Sequence, residues 1–179
     1  MSKTKVDSTG IDLSDNFAFT GTVSGAGKIG QVVSTNTNAT SFTTTSATLV
    51  DITGLSVAIT PSATTSKILV ICNFTGGAGG GVRWFLGLKR GSTAIANGSQ
   101  AGNRLSNVIT GIEHEGTNSL SHASFNFLDS PSSTSEQTYQ VTGCAEDSST
   151  FYVNKSSGDA DQTSVGRGSS TITAIEVLA

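Results

Sequence analysis

The segment Lys67–Phe74, KILVICNF, places the tightest constraint on what this chain can fold into. In an extended backbone successive side chains point to opposite faces. Ile68, Val70, Cys72 and Phe74 then line one face, and Leu69 and Ile71 line the other. A strand that is apolar on both faces belongs in the middle of a covered sheet, with a neighbour on either side. The remaining apolar runs have to supply those neighbours.

They come at short intervals separated by turn-forming residues, the spacing of a sandwich or barrel. From Lys28 onward the runs are 29–33, 47–52, 55–60, 67–74, 82–88, 104–112, 119–128, 137–144, 150–153 and 171–178, so the pattern predicts about ten strands. Val82, Trp84, Leu86 and Leu88 share one face, which makes Trp84 a core residue. In 119–128 the face carrying Phe125 and Phe127 is the inward one. Pro61 and Pro131 fall at strand ends, where a missing amide donor does no harm. Asn97-Gly98 is a tight-turn signal. No segment has a helical period, and no repeat has a solenoid or propeller period. The predicted fold class is all-β, a jelly-roll-like antiparallel β-sandwich over 28–179.

Residues 1–27 are different. Met1–Ser14 carries few large apolar groups, and Gly21, Gly25, Gly27 and Gly30 make the following stretch pliable. Between them, Phe17, Phe19 and Val23 fall on one face of an extended chain. Two aromatic rings with no local partner require burial against something else, because an isolated strand is not stable in water. Residues 1–27 therefore read as an extended docking arm, with Ile11, Leu13, Phe17, Phe19 and Val23 as the assembly interface.

The chemical motifs that the sequence suggests lack the spacing their chemistry needs. Only 13% of residues are charged and the net charge is -3, which argues against a nucleic-acid surface. Gly76–Gly81, GGAGGG, lacks the GxGxxG spacing of a phosphate cradle and reads as a flexible hairpin loop. Gly27-Lys28 is followed by Ile29 where a P-loop needs Ser or Thr. His114 between Glu113 and Glu115, with His122 in the next strand, points away from its flanking carboxylates. Asp159 and Asp161 lack the further ligands of an EF-hand, and Glu146 with Asp147 is at most half of a glycosidase carboxylate pair. Cys72 and Cys144 have no metal-ligand spacing and read as buried free thiols. Sequons begin at Asn38, Asn73, Asn97 and Asn154. No run has the length of a membrane helix and no signal segment follows Lys3 and Lys5, so the chain reads as made in a cytoplasm, without membrane insertion. The loop 156–170, rich in Gly, Ser and Asp, is expected to be mobile or held by a neighbour. No cofactor, metal or catalytic residue is predicted.

Four stretches, DLSDNFAFTGTVSGAGKIGQVV (12–33), DITGLSVAITPSATTSKILVICNF (51–74), SLSHASFNFLDSPSSTSEQTYQV (119–141) and TITAIEVLA (171–179), together resemble virion proteins of tailed bacteriophages of cyanobacteria and marine bacteria. Such chains are labelled tail-fibre-like or capsid-decorating. The resemblance implies a non-enzymatic virion structural protein, a homotrimer that meets other tail or capsid proteins through its N-terminal arm. It also leaves room for a host surface glycan as partner. The leading expectation is a short tail fibre or receptor-binding projection. A capsid decoration protein and a glycan-binding or glycan-degrading module are the alternatives.

Overall fold

The computed structural model describes residues 28–113 and 116–178. The arm, with Ile11, Leu13, Phe17, Phe19 and Val23, lies outside the described residues, as do His114 and Glu115. The elements are β1 (Lys28–Thr37), β2 (Thr43–Thr44), β3 (Val50–Ile59), β4 (Lys67–Gly77), β5 (Arg83–Arg90), β6 (Thr93–Ile95), β7 (Ile109–Glu113), β8 (Ser121–Asp129), β9 (Gln137–Ala145), β10 (Phe151–Val153) and β11 (Ser170–Leu178), with one 3-10 turn at Glu146–Ser148. They form two antiparallel sheets, one of six strands and one of five.

The connectivity is that of one long hairpin rolled on itself. Setting aside the short β2, β6 and β10, the first long strand pairs with the last (β1 with β11), the second with the seventh (β3 with β9), the third with the sixth (β4 with β8) and the fourth with the fifth (β5 with β7). The roll is closed by β11 against β4 in one sheet and β5 against β9 in the other. Two sheets joined by this nested pairing are a jelly roll. The first sheet runs β1–β11–β4–β8, and β10 continues the side of β4 that β11 occupies. The second runs β3–β9–β5, with β6 and β7 sharing the far side of β5.

β4 is central, as its two apolar faces require. It pairs with β8 along one side and with β11 and β10 along the other. Ile68, Val70, Cys72 and Phe74 enter the core at 0–1% exposure. There Phe74 stacks on Phe151 at 5.6 Å between centroids, and Trp84 meets both rings at 5.2 and 5.9 Å. Gly143 exists to admit this cluster, since a Cβ there would lie 2.6 Å from the Phe151 ring.

Several local expectations are revised. The runs 47–52 and 55–60 are one strand, β3, with a register shift between Asp51 and Ser56 and Gly54 at φ 82°. Gln140 bridges the shift, its Nε2 donating to the Ile52 and Leu55 carbonyls at 2.9 and 3.1 Å. A single side chain thus supplies what the interrupted ladder lacks. The tight hairpin is at Gly91-Ser92, between Arg90 and Thr93, with Gly91 at φ 56°. Asn97-Gly98 instead closes a wider loop, in which the Gly98 amide donates to Asn107 O at 3.0 Å and Asn97 Nδ2 donates to Ser106 O at 3.2 Å. That side-chain pairing diverts 104–108 from the strand predicted there. Gly76 and Gly77 belong to β4, and Gly76 is packed so closely that a Cβ would sit 2.5 Å from the Phe74 ring.

Candidate interaction surfaces

The outer face of the first sheet is the least expected surface of the molecule. Val33 packs on the core, as do Ala174, Ile68, Val70 and Phe127, so by alternation their neighbours Val32, Ile175, Leu69 and Leu128 point outward. The pairings place these four in one row: Val32 opposite Ile175, Ile175 opposite Leu69, and Leu69 opposite Leu128. Val32 and Leu128, at the two ends of the row, are 58% and 48% exposed. The adjacent row toward the start of β1 pairs Ile29, 67% exposed, with Val177 and then Lys67.

Away from that end the face turns polar. Ser34, Thr173, Ile71 and Asn126 form the next row, and Asn36, Thr171, Asn73 and Ser124 the one after. A sheet face turned to water alternates apolar-in with polar-out. Here one outward row is apolar across all four strands and the row beyond it adds Ile29 and Val177 before ending at Lys67, the kind of contiguous patch that marks an interaction site.

The outer face of the second sheet bears a pocket of ≈ 630 Å³ lined by Phe85, Leu105, Arg104, Asn103 and the acidic pair Glu146 and Asp147, among others. Glu146 is committed to Arg83, accepting its amide at 2.8 Å and facing its guanidinium at 3.4 Å. Asp147 and Ser148 follow in the left-handed region at φ 53° and 58°, where non-glycine residues are strained. The mixture of an aromatic ring, an aliphatic side chain, amides and a carboxylate suits a polyhydroxylated ligand.

The long loop after β10 is held by its own protein. Asn154, fully buried with φ 59°, donates through Nδ2 to Thr37 O and Ala39 O at 2.9 and 3.1 Å and accepts from Ser170 Oγ at 2.7 Å. Its amide and carbonyl bond Thr75 and Gly168. Further along, Arg167 forks onto Asp159 at 2.9 Å through both Nε and Nη2, with Lys155 at 3.9 Å. The Arg167 bond holds the Asp159 carboxyl below its usual range. A carboxylate so occupied is poorly placed to serve a calcium ion. Burial also leaves the Asn154 sequon unable to present its amide to a modifying enzyme.

The other sequence candidates are placed as follows. His122 Nδ1 lies 2.9 Å from Thr75 Oγ1. Cys72 is in the core and Cys144 lies on the opposite side of β9 from Val141 and Ala145, so the two buried thiols are on different sheets. Among the described residues no group of three His, Cys, Asp or Glu side chains could hold a metal, and no helix is long and apolar enough to cross a membrane. The outward apolar rows and the pocket were not found from sequence. The rows were hidden because their members come from four separate strands and meet only through register.

No protein-family model matches the chain, and no curated protein matches it. Among solved structures, a chain from a structure of infectious bursal disease virus, Gx strain, aligns with a TM-score of 0.41 at 14% identity, over 84% of this chain and 39% of that one. This chain spans well under half the length of that neighbour, and a likeness at this level carries no argument here.

Proposed function

We propose that this chain is a non-enzymatic virion structural protein of a tailed bacteriophage, a short trimeric tail fibre or receptor-binding projection anchored by residues 1–27. The observation that carries the assembly part of this reading is the row Val32–Ile175–Leu69–Leu128 on the outward face of the first sheet. An apolar band left facing water is costly unless it is covered, and a protein built to assemble supplies the cover. The phage assignment rests on the resemblance of the four sequence stretches. A capsid decoration protein that clamps neighbouring subunits uses the same surface, and differs only in location.

Electron microscopy of virions carrying a labelled copy separates the two. Label at the tail supports the first reading, label at capsid symmetry axes replaces it with the second, and absence from purified particles overturns both. The pocket at Phe85 and Leu105 favours a glycan-binding role as a further reading. A panel of host-surface polysaccharides tests it: binding without turnover favours receptor recognition, and reproducible cleavage overturns the non-enzymatic assignment.

A further inference from the structure

We infer that the outward apolar rows of the first sheet are covered by the chain's own segment Asn16–Val23. This deepens the assembly reading above by naming what occupies the surface on which that reading rests. Three observations converge on this segment.

The first is position. The apolar rows are confined to the end of the face where β1 begins, and Lys28, the first residue of β1, is where residues 1–27 join the sheet. Toward the opposite end the rows are Ser, Thr and Asn apart from Ile71, so the apolar surface is concentrated where the arm leaves.

The second is pattern. Phe17, Phe19 and Val23 fall on one side of an extended segment, so the segment has a single apolar side to lay on an apolar sheet face. The face is apolar without being deep, which suits rings laid across it. Lys67 ends the row of Ile29 and Val177 on β4, a cation whose charge complements a segment preceded by Asp12 and Asp15.

The third is reach. Four strands spaced by about 4.8 Å make a face roughly 14 Å wide. The four residues Ser24–Gly27 span up to about 14 Å when extended. That length, with two glycines to allow the turn, delivers Val23 onto the face of its own domain or of a copy abutting β1. Among the described residues β1 is the edge of its sheet, so a neighbouring copy can approach there without displacing any of the described strands.

The test uses the full chain. Phe19→Cys and Leu128→Cys are introduced singly into chains of different mass, and together into one chain, and a short bis-maleimide is added. The native Cys72 and Cys144 are buried, and Ser99→Cys, in the exposed loop between β6 and β7, is the control position. The inference expects Phe19→Cys to cross-link to Leu128→Cys at least tenfold more than to Ser99→Cys, and expects Val32→Glu to abolish the product. Equal yields at both positions, or none at Leu128→Cys, overturn it.

The same experiment separates the inference from the assembly reading. Products between chains of different mass support both. Products formed only within the doubly substituted chain keep the arm on the face but overturn assembly through it. An oligomer that Val32→Glu disperses, with no cross-link from Phe19→Cys, overturns the arm as occupant and leaves assembly standing.

Discussion

The Tyr139 hydroxyl donates a 2.8 Å hydrogen bond to Oδ2 of Asp129, joining β9 of one sheet to the last residue of β8 in the other. Arg90 Nη1 meets the same oxygen at 2.5 Å. A carboxylate 7% exposed is thus shared by two donors from the facing layer. Burial first, and Asp129 second, push the Tyr139 hydroxyl above the ordinary tyrosine range. Tyr139→Phe removes one of the two donors and should cost about 1.5–3 kcal/mol, the range for a hydrogen bond to a charged group. Urea unfolding should show a lower midpoint with an unchanged slope.

Glu176 governs part of the acid stability. Its side chain is 1% exposed, and Oε1 accepts from the Ser62 amide at 2.6 Å and the Ser62 hydroxyl at 2.7 Å. The Ser62 hydroxyl is the main cause that holds its carboxyl below the ordinary 4.5, against the opposing effect of burial. A depressed carboxylate contributes stability that is present above the unfolded value and is lost as pH falls through the folded one. Melting temperature measured from pH 7 downward should therefore begin to drop below about pH 4.5. In Glu176→Gln that acid limb should be shallower, from a lower plateau at neutral pH.

The two thiols should be silent in the folded protein. Burial pushes Cys72 up to about 12 and Cys144 up to about 11, and the thiolate is the reactive form. At pH 8 a thiol reagent should label neither residue within the time that labels a free cysteine, and both after addition of denaturant. Rapid labelling of Cys144 alone would show that the outer side of β9 opens independently of the core.

Asn154→Ala should release the loop that follows β10. It removes the donor to the Thr37 and Ala39 carbonyls and one of the partners of the Ser170 hydroxyl, three hydrogen bonds at about 0.5–1.5 kcal/mol each. Limited proteolysis should cut between 156 and 169 well before the body unfolds. Asn154→Asp retains an acceptor for Ser170 but sets a buried carboxylate oxygen against the two carbonyls, and should release the loop at least as readily.

Phe17→Ser with Phe19→Ser should reduce incorporation into virions while leaving the body folded. Burying two such rings contributes about 3–6 kcal/mol, enough to decide an assembly step. A double variant that fails to fold as an isolated protein would make this segment an ordinary strand of the domain.

Much of the fold was legible because strands announce themselves by alternation. The inward set of Lys67–Phe74, the core position of Trp84 and the inward face of Phe125 follow from period two alone, and burial agrees at each. What sequence could not give is register. Nothing local says that Leu128 lies opposite Leu69 and Leu69 opposite Ile175, so the apolar band stays scattered until the sheet is assembled. Gln140 illustrates the same limit at one residue, since its amide completes a strand separated from it by more than eighty positions. Whether the loop 156–170 is mobile or held is illegible in the sequence for a related reason: its anchors, Asn154 and the Arg167–Asp159 pair, are polar residues typical of any exposed segment.

The nested pairing also bears on how the molecule is made. β11, the last strand along the described chain, lies between β1 and β4 in the first sheet. Until the ribosome has released Ser170–Leu178, β1 lacks its ladder partner among the described strands and β4 lacks most of one side. Partial chains must wait with unpaired edges, a state that folds slowly and invites aggregation. Shortening the chain by this one strand should therefore yield insoluble product, and production in cells should depend on temperature and chaperones more than the finished protein's stability suggests.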